Sequence, residues 1–161
     1  MVTNKHQSTG FTLIEVILYV ALLGMLLTGA IMAAFVLADA SADNLRKIEI
    51  QEEGAYLIQK ISWAVTNASS VSVTNGGSML TVVKKSGPDF STDDNPIRIY
   101  EEENALLMRR SGAEPAPLNM SALAVSDFEA ELQGTGESQI LFVTFSLEGT
   151  EFSLRRYLND I

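Results

Sequence analysis

Val16 to Ala38 is a run of 23 residues without a formal charge, and no other feature limits what this chain can fold into as strongly. As an α-helix rising about 1.5 Å per residue it would reach roughly 35 Å. That is enough to cross a hydrocarbon core about 30 Å thick with some tilt. A cleaved secretory signal has a shorter apolar core, about 7–15 residues, followed by a small-residue cleavage site. Here the small-residue step, Ser8-Thr9-Gly10, comes before the run. A bitopic anchor fits both length and flanking charge, since Lys5 and His6 precede the span and Asp39 and Asp43 follow it. The positive-inside rule then puts the N-terminus in the cytoplasm and the body outside. Neither reading explains Glu15, a carboxylate at the head of the run, where an unpaired charge costs several kcal/mol.

Charge and composition exclude several classes of function. The net charge is −9, and from Asp39 onward 10 Lys and Arg face 19 Asp and Glu. Phosphate backbones need clustered cations, and the pairs Lys84-Lys85, Arg109-Arg110 and Arg155-Arg156 are isolated; no nucleic-acid partner is expected. There is no cysteine, so no disulfide and no Cys-ligated zinc. The single histidine, His6, precedes the span, which leaves Ser–His chemistry without a base in the body. The expectation is a protein that is not an enzyme and has no cofactor. Asp89, Asp93 and Asp94 share a loop, but their spacing is not that of an EF-hand, and no metal is assigned.

Gly10-Phe11-Thr12-Leu13-Ile14-Glu15-Val16 resembles the class III signal of type IV prepilins and of the pseudopilins of type II secretion. The match joins a short basic leader, a Gly, an aromatic residue, a carboxylate five positions after the Gly and a long apolar helix. The resemblance implies that a membrane prepilin peptidase cuts between Gly10 and Phe11 and that the new Phe11 amine is N-methylated. Glu15 is then an assembly residue. Four positions from Phe11 it is one helical turn away, within reach of that amine or of a neighbouring subunit's. Pairing removes much of the cost of a charge near lipid. Gly24 and Gly29 offer small surfaces for helix packing. The Pro that major pilins usually carry further along this helix is absent.

Beyond the span the helix is expected to continue to about Ala68. Leu45, Ile48, Ala55, Ile58, Ile61, Val65 and Ala68 recur at mostly three- and four-residue steps, giving one apolar stripe. Arg46, Lys47, Glu49, Glu52, Glu53 and Lys60 form the polar face. Tyr56 and Trp63 read as packing residues, and Asn67 falls where the helix should end. After Ser69 the period alternates. Asn75-Gly76-Gly77 between two apolar runs is a strong hairpin signal. Glu101-Glu102-Glu103 reads as the solvated turn of a looser hairpin, and Pro115 and Pro117 break the chain. Three later strands follow, for about seven in all.

The expected class is α+β: a pilin-like spine helix, its lower half transmembrane, packed on an antiparallel sheet. The divisions are a leader at 1–10, a transmembrane and assembly helix at 11–38, its amphipathic continuation at 39–68, and a periplasmic or extracellular sheet domain at 69–161. The late strands resemble those of J-type minor pseudopilins and related minor pilins. That resemblance implies a minor subunit acting in filament initiation or at the tip, held in the inner membrane. Its partners would be the prepilin peptidase, other pilins or pseudopilins through the N-terminal helix, and the inner-membrane assembly platform. The alternative is a bitopic membrane protein whose acidic external domain binds a ligand or substrate.

Overall fold

The structure is a computed structural model that describes residues 12–87, 90–134 and 139–158; Gly10, Phe11 and Asp89 lie outside the described residues. Helix α1 runs from Leu13 to Val65, 53 residues, a little inside the expected bounds. It stops where Asn67 takes a left-handed φ of 57°, a conformation Asn tolerates at a helix C-terminus. The Asn67 carbonyl accepts the Lys85 N–H at 2.9 Å. The chain divides into two compact units, and the boundary, Arg46/Lys47, falls within α1.

In the first unit the helical residues are almost all exposed. Leu13 is 80 % accessible, and Leu22, Leu26, Ile31 and Phe35 are exposed as well. α1 is the one described helix long and apolar enough to cross a membrane. Its apolar surface runs all round, the pattern of a helix solvated by lipid.

The second unit adds eight strands to the end of α1: β1 (Ala68–Thr74), β2 (Met79–Lys84), β3 (Ile97–Glu102), β4 (Ala105–Arg109), β5 (Ala116–Pro117), β6 (Val125–Gln133), β7 (Gln139–Leu147) and β8 (Thr150–Leu158). The α+β class is as expected, but among the described residues the strands form two antiparallel sheets, β1-β2-β3-β4-β5 and β6-β7-β8. The extra strand is β5, whose two residues pair with Leu107 and Met108 on β4 inside the Pro-rich break.

Turn chemistry sets the hairpins. Asn75, Gly76 and Gly77 all have positive φ between β1 and β2, which residues other than Gly and Asn adopt at a cost. The β3–β4 turn is tighter than expected: Glu103 and Asn104, at φ 52° and 65°, are its two loop residues. Glu101 and Glu102 lie on β3 instead, and the half-buried Glu101 accepts the Phe128 N–H at 3.0 Å.

The core joins one face of α1 to both sheets. Leu57, Ile61, Leu80, Ile99, Val143 and Phe145 are among its fully or almost fully buried members. The stripe read from the sequence is corrected here. Leu45 and Ile48 are exposed, at 65 % and 53 %, and Ala55 is exposed. The buried face is Ile50, Glu53, Gly54, Leu57, Ile61, Ala64 and Val65. A charge and a glycine occupy this face for physical reasons. Glu53 accepts the Met120 N–H at 2.7 Å, satisfying a group that burial would otherwise orphan. Gly54 leaves the space filled by the Phe152 ring, which any Cβ would overlap, and that ring stacks on Phe145 at 5.5 Å.

Other buried polar groups are also bonded. Lys84 donates from Nζ to the Trp63 carbonyl at 2.7 Å, placing a cation at the C-terminal turn of α1, where the helix dipole favours it. Asn119 accepts the Leu106 N–H and donates to the Leu123 carbonyl, holding the segment between β5 and β6. On β8, Arg156 donates to the Ser62 and Thr66 hydroxyls of α1 and the turn that follows.

Candidate functional site

Of the residues singled out for processing and assembly, Glu15 falls at the start of α1 and Gly24 and Gly29 further along it. Glu15 stands in its first turn, where the exposed N–H groups and the helix dipole favour an anion. The Thr12 carbonyl accepts the Glu15 and Val16 N–H groups at 3.1 and 3.3 Å, so the helical ladder is already formed at the carboxylate. Glu15 is half-buried among exposed apolar neighbours. Its Oε1 accepts the Tyr19 hydroxyl at 3.2 Å, a contact the sequence reading missed, although Glu and Tyr four positions apart share a helix face. A carboxylate accepts several hydrogen bonds, so this bond leaves capacity for an ammonium. Gly10 and Phe11 are outside the described residues, so the cleavage and methylation positions have no geometry here.

Gly24 and Gly29 present open backbone: a Cβ built on either meets nothing within 4 Å. Thr28 returns its hydroxyl to the Gly24 carbonyl at 2.8 Å, which hides its polar group against the helix. Gly24 and Thr28, four positions apart, share one side of α1 and offer small residues there, while Gly29 lies about 140° round the helix; helices in lipid approach closely at such small residues.

In the second unit, Asp94 faces Arg110 at 3.7 Å with both side chains exposed. No group of three or more His, Cys, Asp or Glu able to hold a metal is found among the described residues. Trp63 packs edge-on to Phe90, with centroids 6.1 Å apart, and lies 3.9 Å beneath the Lys84 ammonium. It therefore packs within the body, while Tyr56 keeps 41 % of its surface exposed.

Residues 5–31 match the family model described as the prokaryotic N-terminal methylation motif. No curated protein and no solved structure matches the chain. The match covers the second part of the leader from Lys5, the Gly10-Phe11 step, Glu15 and most of the uncharged run. It supports processing by prepilin peptidase. Together with one long apolar helix and an α+β body it supports the type IV pilin and pseudopilin family. The chain carries a prokaryotic, prepilin-type N-terminal methylation motif that runs into a pilin-like helix long and apolar enough to cross a membrane.

Proposed function

We propose that this protein is a minor subunit of a type IV filament or of a type II secretion pseudopilus, acting in initiation or at the tip. Prepilin peptidase cuts between Gly10 and Phe11, and the Phe11 amine is methylated. Residues 11–38 then serve as transmembrane and assembly helix, 39–68 as its continuation and 69–161 as the sheet domain, with the body outside the inner membrane. The observation that carries this reading is the motif at residues 5–31, with Glu15 set in the first turn of a helix whose following surface is apolar.

Mechanistically, the mature amine and the Glu15 carboxylate are opposite charges that water no longer solvates once the helix lies in lipid. Each gains by meeting the other across a subunit contact. Apolar surface alone would not set register in lipid, because neighbouring tails are as apolar as the helix. A charge pair supplies register, and Gly24 and Gly29 allow the close approach. The absence of Cys and of the usual helix Pro supports a minor rather than a major subunit.

The test is Glu15→Val. The variant should be cleaved and inserted normally but fail to co-purify with sister pilins and the assembly platform. Normal co-purification would make Glu15 a residue that merely reaches to the headgroups and would remove the assembly role.

A further inference from the structure

The second unit carries a groove of about 500 Å³, within the size range of ligand sites. One wall is the α1 face with Tyr56, Lys60 and Trp63; the other is the end of β4 and the segments flanking β5, with Met108, Arg110 and Leu118. Several occupants are excluded by what already fills the walls. The Trp63 ring is covered by the Lys84 ammonium at 3.9 Å and the Arg110 guanidinium at 5.5 Å, and Tyr56 by the Lys60 ammonium at 5.1 Å. The rings are thus not free platforms for a sugar or a base, and a cationic ligand would compete with cations already there. A strand cannot extend the sheet at this edge, because β5 has two residues and Pro115 and Pro117 lack an N–H.

The remaining chemistry is that of an amphipathic anion. Met108 and Leu118 provide buried or half-buried apolar surface. Lys60 is half-buried, and among the described residues no carboxylate pairs with its ammonium. Arg110 adds a second cation, shared with Asp94. Glu114 also lines the groove, which favours one incoming carboxylate over several. The groove is partly open to solvent, so it can hold part of a longer chain.

We propose that this groove binds a short peptide segment of another protein in which a carboxylate side chain neighbours a large apolar one: the carboxylate meets Lys60 and Arg110, and the apolar side chain enters between Met108 and Leu118. The proposal does not rest on the filament reading.

Trp63 is the only tryptophan of the chain and lies in the groove wall, so its emission reports occupancy. The experiment titrates full-length protein in phosphatidylcholine vesicles with acetyl-Gly-Asp-Phe-Gly-amide, with the same peptide carrying Asn for Asp, and with hexanoate. The Asp peptide should give a saturable change in emission. The Asn peptide should bind about tenfold more weakly, as for loss of one charge-assisted hydrogen bond, and Lys60→Gln should shrink that difference. Ala116→Phe, which fills the groove, should abolish the change while circular dichroism stays the same. No saturable change, equal binding of the two peptides, or full discrimination in Lys60→Gln would overturn the proposal. Hexanoate binding as tightly as the Asp peptide would overturn the peptide assignment in favour of small carboxylates.

Discussion

Leu22 and Leu57 are the same residue on the same helix, yet Leu22 is 51 % exposed and Leu57 fully buried. The first unit spreads apolar side chains over every side of the helix, and Glu15 is the one acid in it before Asp39. The second hides its apolar groups on one face and holds charges in its interior, each bonded, as at Glu53 and Lys84. An apolar residue therefore has two meanings in this chain. Below Arg46 it is exposed on a helix long and apolar enough to cross a membrane; above, the buried ones are matched to this chain's own sheets.

The sharpest way to break that contrast is at the processing site, where the expected effect is all or none. Gly10→Leu should leave a full-length, membrane-inserted chain, because a bulky side chain at this position blocks a peptidase subsite shaped for Gly. Normal processing, read by immunoblot, would remove the functional meaning given to the first unit. The second unit should behave as an ordinary core. Leu57→Ala should destabilise it by about 2–5 kcal/mol, read from Trp63 emission in urea, while Leu22→Ala should leave that transition unmoved.

A glycine pair sharpens the same comparison at smaller scale. Gly54→Ala would push a methyl into the Phe152 ring and disturb its stack on Phe145, costing about 1–3 kcal/mol. Gly24→Ala meets nothing and should raise local helix propensity by about 1 kcal/mol without shifting the urea midpoint of the body. The finest distinction is expected at Glu53, between two replacements of one side chain. Its replacement by Ala leaves the Met120 N–H unsatisfied, for about 1–3 kcal/mol, whereas Gln keeps an acceptor in place and should recover much of the loss. Equal losses for Ala and Gln would mean that the negative charge, not the hydrogen bond, matters there.

These pairs also mark what sequence alone could reveal. The Asn75-Gly76-Gly77 turn was legible because so few residues accept its dihedral angles, and the apolar run because no globular core needs 23 uncharged residues in a row. The motif around Glu15 was legible for a similar reason, since a carboxylate at that depth requires an explanation. The inward face of α1 was misread because residue type was taken for orientation. Ile48 and Ala55 look like core residues and are exposed, while Glu53 and Gly54 look unlike core residues and are buried. What places them inward is the Met120 N–H and the Phe152 ring, 67 and 98 positions downstream, which no local pattern encodes. The split into two sheets and the two-residue β5 were hidden for the same reason, as strand partners are set by long-range packing. The groove residues gave no joint signal either, since Lys60 and Leu118 meet only through the fold.

The central claim is that the first unit is a processed assembly helix whose carboxylate answers a new amine. Mass spectrometry of the N-terminal peptide from membrane-extracted protein tests it most directly. The account predicts a mature chain that begins at Phe11 and carries one extra methyl group on its amine, with Glu15 unmodified. A membrane-bound chain that keeps residues 1–10, isolated from cells with active prepilin peptidase, would contradict it.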